Sequence, residues 1–546
     1  MSASDALDKH EEGKEDASEG GELLYCGGTN WDTIGRKATV AAENLVSPNR
    51  VRPLLGVDIR FVASGCSSCH CVALDVHGRC YTWGRNEKGQ LGHSDTSHRS
   101  LPTVVFGLAK HKIVGAAAGR NHTVVIADDG KSYAFGFNKH GQLGTGSTKN
   151  EIEAFPVASL VAQATKVACG ADFTVWLSSA DGSSILTAGL PQYGQLGHGT
   201  DNEYNTKDSS VKLAYEPQSR PRAIAAFSEK LITKVACGTN HTVAVDSNGF
   251  VYTWGFGGYG RLGHREQKDE WVPRLVEVFQ RQNVLPPDAV VAAGSVSSAC
   301  TAGGGQLYMW GKLKTTGDEW MYPKPVMDLS GWNIRCMSSG NMHHIVGADD
   351  SCISWGYAQY GELGYGSLGP KSSANPKKID VLDGMQVKSV ACGLGLSLIV
   401  VDRKNIGGRL DKLEVYDGGI AEGTADTKDA AVKDTAKKRT TNSSSSKKRK
   451  QEESSAESED AVDESGDSDD ANGDSAGKNV KRRGRRNAAK TTKTTAAKDK
   501  NSGRGRGRPR GPAHVEATRR VVGVHLPPSC IDPTLHAKGQ RLTHME

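Results

Sequence analysis

An aromatic residue and a glycine, followed five residues later by Gly-x-Leu-Gly, recur along this chain, and a motif repeated at a near-constant interval constrains the fold more than any single residue can. The clearest copies are Trp83-Gly84 with Gly89 to Gly92, Trp254-Gly255 with Gly260 to Gly263, and Trp355-Gly356 with Gly361 to Gly364. Weaker copies begin at Phe135-Gly136 and Ala188-Gly189, and a sixth keeps only Trp310-Gly311. Upstream of each lies a short apolar strand ending in glycine, then often a histidine and a second strand, as in Ala116 to Gly119 with His122 and Val235 to Gly238 with His241. The same glycine returns at Gly65, Gly170, Gly294, Gly340 and Gly393. The interval of roughly 46 to 68 residues, filled with short alternating strands and glycine turns, is the material of propeller blades.

Seven such glycines predict seven units, but the last, Val390 to Gly393 followed by Leu398 to Val401, lacks its aromatic-glycine half. That half stands at the other end of the chain, as Leu24 to Gly28 and Ile34-Gly35. A ring whose final blade draws strands from both termini has no open sheet edge to aggregate. The expectation is an all-β, seven-bladed β-propeller over residues 21–403, closed by N- and C-terminal strands through the segment near residues 21–36. An acidic disordered N-terminus is expected over 1–20, and a long disordered charged tail over 404–546.

The longer strings are more specific than the repeat. Cys80 to His93, Phe256 to His264 with Trp271 to Leu275, Met321 to Lys324 leading to Gly331-Trp332, and Ile353 to Gly366 resemble the regulator of chromosome condensation repeat family. Their wording is nearer to a paralogous branch than to the founding Ran exchange factor. The resemblance covers about residues 21–403. It implies roles in mitosis and at centromeres, and small GTPases of Rac, Ral or Arf type as partners.

Net charge is nearly balanced, with 68 Lys and Arg against 62 Asp and Glu, yet the charges are segregated. Residues 1–403 sum to about −2 and residues 404–546 to about +8. Within the tail, Glu452 to Asp474 carries about −11 and Lys478 to Arg520 about +14. So polar a composition cannot bury enough apolar surface to offset the entropy of ordering. The chain has 12 cysteines, no secretory leader and no apolar run long enough to span a bilayer, which points to a reducing, intracellular compartment without membrane attachment. The run Cys66-Ser-Ser-Cys69-His70-Cys71 has no second cysteine pair at zinc-finger spacing. A lengthened loop, two residues longer than its counterpart in the next repeat, accounts for it without a metal.

The tail carries two motifs. Lys437, Lys438 and Arg439, followed across a Ser/Thr spacer by Lys447, Lys448, Arg449 and Lys450, read as a bipartite nuclear import signal able to engage an import receptor at two acidic pockets. Arg506, Gly507, Arg508, Pro509 and Arg510 resemble an AT-hook: glycine lets the backbone sink into a narrow minor groove, and arginines enter its negative potential. A nonspecific cationic tail or an RNA-binding Arg-Gly segment would have the same composition. Nuclear or nucleolar residence, and contact with chromatin through the tail, follow from these motifs and the resemblance.

Within the ring, His70, His122, His241 and His343 recur once per repeat, so they read as structural bridges between strands. The founding member of the family meets its GTPase with acidic side chains beside this position. Here those places hold Asn121, Asp172, Asn240, Val296 and Met342, a single carboxylate, which argues against Ran-type exchange. The plant ultraviolet-B photoreceptor of the same family needs a tryptophan in these loops, where this chain has Arg120 and Thr239. The insertion from Gly199 to Leu231, with Tyr204, Tyr215, Arg220 and Arg222, is expected to contact a partner, because loops this long on a rigid scaffold commonly carry recognition. No phosphate-binding loop or paired nucleophile and base occurs, so no cofactor and no catalytic residue is assigned. The expected function is a monomeric nuclear scaffold that binds a small GTPase or mitotic protein. The alternative is a guanine nucleotide exchange factor for a Rac-, Ral- or Arf-type GTPase.

Overall fold

The computed structural model describes residues 20–36, 44–180, 184–205, 213–317, 319–404 and 406–419. The import residues Lys437 to Arg439 and Lys447 to Lys450, and the DNA-binding residues Arg506 to Arg510, lie outside them. The described residues form seven blade sheets, antiparallel but for one short parallel edge pair, and a separate two-stranded hairpin. Blades 1 to 6 span residues 59–104, 113–158, 164–223, 232–275, 291–325 and 334–378, and blade 7 joins Val387–Cys392 and Leu396–Val401 to Glu22–Gly27 and Leu45–Val51. Strands are lettered a to d outward; blade 4, for example, is Ile232–Cys237, His241–Asp246, Val251–Gly255 and Glu270–Leu275. Each a strand touches the a strand of the next blade, from blade 1 round to blade 7 and back to blade 1. The ring therefore closes with seven members.

The b strands, such as His122–Ala127 and Phe173–Ser178, are buried at every position, because both faces of each blade pack on a neighbour. Outer strands such as Gln218–Ala223 are half-buried or exposed. Antiparallel order puts the a–b and c–d loops on one side of the ring, here the loop face. The b–c turns and the links between blades lie on the opposite turn face.

The two glycine signals have distinct causes. After strand c, Gly84, Gly136, Gly255 and Gly356 adopt φ of 101 to 115°, closed to residues with a Cβ. The glycine ending strand a has no such backbone demand. A Cβ at Gly119, Gly238 or Gly340 would land inside the imidazole of His122, His241 or His343.

Blade 7 is closed as the terminal half-motifs predict, with Glu22–Gly27 pairing antiparallel to Leu396–Val401. The closing segment is wider than residues 21–36, since Leu45–Val51 supplies the fourth strand and Val415–Tyr416 adds a fifth beside Arg50 and Val51. Ordered chain thus continues beyond residue 403. Pro48, which has no N–H to offer, is tolerated at this sheet margin. The two ends are tied by charge: the Glu22 carboxylate, buried, accepts from Arg50 Nε at 3.0 Å and Arg403 Nε at 2.9 Å. Arg50 also holds Asp411, and Arg403 holds Asp58.

Candidate partner-binding face

The repeated histidines are locks between blades. His70, His122, His241 and His343 place Nε2 at 2.7, 3.0, 2.8 and 3.0 Å from the hydroxyls of Thr123, Thr174, Ser298 and Ser397, each on strand b of the next blade. Each hydroxyl donates in turn to the carbonyl of the second residue of Gly-x-Leu-Gly, at Gln90, Gln142, Arg261 and Glu362. A hydroxyl has one proton, and it is spent on that carbonyl, so the histidine Nε2 must be the donor. Nδ1 of His122, His241 and His343 has no partner, which suits a neutral imidazole. Burial accordingly pushes His70 down to about 3, and His122 and His343 to about 4. These groups bind blade to blade and are not presented to a ligand.

The longer first a–b loop, read from sequence as the reason for the cysteine cluster, crosses the ring. Cys66 Sγ lies 3.5 Å from Thr239 Oγ1 of blade 4, and the Cys66 carbonyl accepts from Ser295 Oγ of blade 5 at 3.3 Å. Ser68 bonds His70 Nδ1 at 2.8 Å, and Cys69 packs beneath Ile34. Burial raises the thiols of Cys66, Cys69 and Cys71, which opposes thiolate chemistry. Elsewhere on this face Asp32, Glu87 and His98 converge within 4.8 Å, but each has a protein partner: Glu87 pairs with Arg36, and His98 Nδ1 lies 3.2 Å from Asp32.

Blade 3 carries the residues predicted for partner contact. The insertion forms a hairpin of Glu203–Asn205 and Leu213–Tyr215 in the c–d loop, and Tyr204 is 50% exposed. Asp172 lies in the a–b loop of the same blade, on the same face, 3.8 Å from Arg120 of blade 2. Arg220 and Arg222 are not in a loop. They belong to the outer strand Gln218–Ala223, with Arg222 opposite Thr187, and so stand apart from the hairpin tip. The reason is ordinary blade construction: every blade needs a d strand, and this one begins after the insertion.

Sequence reasoning missed the cluster beside the hairpin. Tyr215 lies close enough to the Gln192 side chain to interact with it, next to Tyr193, whose aromatic centroid lies 4.8 Å from that of Phe256. Arg261 Cζ sits 4.6 Å over Phe256 and 5.5 Å from the Tyr259 centroid, and Lys312 Nζ lies 4.8 Å over Tyr259. Arg261 is pinned by donating to the Gly258 and Ser295 carbonyls. Tyr259 has φ of 61°, unusual for an aromatic residue and of the kind retained at functional sites at a cost of about 1–3 kcal/mol. Lys88, His140, Tyr193 and Tyr360 occupy the same repeat position without a positive φ. A tyrosine pre-ordered on the buried Arg261, next to a projecting hairpin, has the character of an interface hot spot.

The comparisons with known proteins agree with this architecture. The RCC1-like domain model matches residues 17–318, and the regulator of chromosome condensation (RCC1) repeat model matches residues 349–400. The chain is 41% identical to Protein RCC2 of Homo sapiens, over 70% of this chain and 76% of that protein. It is 30% identical to the Ultraviolet-B receptor UVR8 of Arabidopsis thaliana, over 67% of this chain and 78% of the receptor. Among solved structures, human WBSCR16 superposes with a TM-score of 0.57 at 20% identity, covering 70% of this chain and 99% of that one. Prp20p of Saccharomyces cerevisiae does so with 0.55 at 21%, covering 73% and 97%. Both likenesses show the fold. Among the described residues no helix is long and apolar enough to cross a membrane.

Proposed function

The chain belongs to the RCC1-like propeller family and is a regulatory propeller, and on that footing we propose that its loop face in blades 3 to 5 binds a small GTPase of Rac, Ral or Arf type, or a mitotic protein. The observation that carries the reading is the hairpin at Tyr204 and Tyr215 standing beside the pre-ordered set Tyr193, Phe256, Tyr259, Arg261 and Lys312. Prp20p, a distant relative, is described as binding Gsp1p and histones and as bound by Kap60. The import-like clusters around Lys437 and Lys447 and the AT-hook-like Arg506 to Arg510 support nuclear entry through an import receptor and association with chromatin.

In this proposal the face binds without rapid exchange. Displacing a nucleotide requires negative charge competing for Mg²⁺ and phosphate. Asp172 is the lone carboxylate at the repeated loop position, and Arg120 already faces it. The test is a panel of purified GTPases with two readouts, affinity and nucleotide release. We expect one member to bind, Tyr204→Ala and Tyr259→Ala each to weaken binding about tenfold or more, and release to stay near its spontaneous rate. Binding unaffected by both substitutions refutes the assigned face, and release accelerated a hundredfold makes the protein an exchange factor.

A further inference from the structure

The centre of the turn face is lined with cations that the partner-binding reading leaves unused. In every blade but the fifth, strand a carries a β-bulge at the same place, just after its first residue. Bulges re-aim side chains and recur beside functional sites. In five of those six blades the bulge, or the residue after it, is basic: Arg60, Lys166, Lys234, Arg335 and Lys388. The a strands are innermost and begin at the turn face, so these residues encircle one mouth of the central channel. The other mouth is crossed by Cys66, reaching from blade 1 to Thr239 and Ser295 on the far side. The turn-face mouth therefore has a basic rim, and the loop-face mouth is bridged by the first a–b loop.

The charges at the rim are poorly neutralised from within. Among the described residues, Lys388 is the one of the five with a salt-bridged carboxylate, Asp402 at 3.4 Å. Arg60 and Lys166 donate to main-chain carbonyls of the next blade, Ile113 and Thr233, both at 2.9 Å, and Arg335 donates to the carbonyl of Asp349. Lys234 forms no ion pair among the described residues, is half-buried, and stands in the repulsive field of Lys166 with only Asp288 opposing it. Asp75, the carboxylate whose charge acts on Arg60, is occupied by Arg79 and Tyr81. Crowding like charges at a partly desolvated mouth is unfavourable unless an anion neutralises them.

We propose that this rim is a binding site for a compact, multiply phosphorylated small molecule, held by Arg60, Lys166, Lys234, Arg335 and Lys388 at the turn-face end of the channel. A small polyanion fits better than an extended strand, because the five cations stand at the starts of the innermost strands of five different blades, around one mouth of the ring. The site lies on the face opposite the proposed partner surface, so either assignment stands without the other.

The test is thermal unfolding of the full-length chain with tripolyphosphate or inositol hexakisphosphate, against sodium sulfate at equal ionic strength. A ligand raises the melting temperature only by preferring the folded state, so a basic segment that binds equally before and after melting contributes no shift. We expect either polyphosphate to raise the midpoint with a fitted Kd in the micromolar range, roughly −8 kcal/mol. Lys234→Gln and the Lys166→Gln/Lys234→Gln pair should weaken it at least tenfold. Lys131→Gln, an exposed cation in a b–c turn away from the channel, should leave it unchanged. Without ligand the double variant should melt at or above the parent temperature, since a repulsion has been removed; lost binding then cannot be ascribed to lost folding. No shift beyond sulfate, a shift retained in the double variant, or a shift produced by duplex DNA but by neither polyphosphate would each overturn the assignment.

Discussion

Replacing Glu22 by Ala tests whether the ring is held shut by its two ends. The carboxylate is about 1% exposed and accepts from Arg50 and Arg403, which are 16% and 28% exposed at the side chain. Removing one member of a buried ion pair typically costs about 3–5 kcal/mol, because the remaining charges stay desolvated. Here Arg50 retains Asp411 and Arg403 retains Asp58, and both arginines reach solvent, so the expected cost falls to about 2–3 kcal/mol. Urea unfolding of Glu22→Ala, Arg50→Met and the double variant supplies the measurement. The midpoint should fall with an unchanged slope in each single variant, and the double variant should lose much less than the sum. Loss under about 0.5 kcal/mol, or strict additivity, would refute the latch and leave strand pairing alone as the closure.

Two further outcomes follow from the inter-blade locks. Thr174→Val removes the hydroxyl that joins His122 Nε2 to the Gln142 carbonyl, stranding two buried polar groups at about 1–3 kcal/mol each; a melting temperature unchanged within error would show that the lock contributes nothing. Acid should also loosen the ring: an unfolded histidine protonates near 6.5, whereas His122 and His343 stay neutral when folded until about 4. Stability is then full above about pH 6.5 and falls as pH drops toward 4, by up to roughly 3 kcal/mol per histidine. Urea midpoints measured between pH 7.5 and 4.5 should show that decline, reduced in His122→Gln.

The seven blades were legible because two steric demands recur at fixed offsets: a positive φ after the strand c aromatic, and a missing Cβ beneath the repeated histidine. Both force glycine, and glycine is visible in sequence. Leu45–Val51 was not, since an outer strand interrupted by Pro48 has neither alternation nor an aromatic to announce it. Val415–Tyr416 pairs through so few residues that no pattern can form. Arg220 and Arg222 were read as loop residues because the insertion hides where the outer strand resumes. The Tyr259 cluster escaped notice because it depends on a local backbone twist and on side chains from three blades, neither of which is a spacing rule. The basic rim was equally hidden, its members more than forty residues apart and aligned only by the shared bulge.

The pairing of Glu22–Gly27 with Leu396–Val401 also sets a clock. Glu22 and Arg403 are 381 positions apart, so at the usual pace of synthesis, about 5–20 residues per second, the first strand waits roughly 20–75 s for its neighbour to leave the ribosome. During that interval Glu22–Gly27 can pair with Leu45–Val51 but keeps its other edge open. A newborn chain of this protein is thus most vulnerable at its beginning, and any factor that shields a nascent β-edge should act there first.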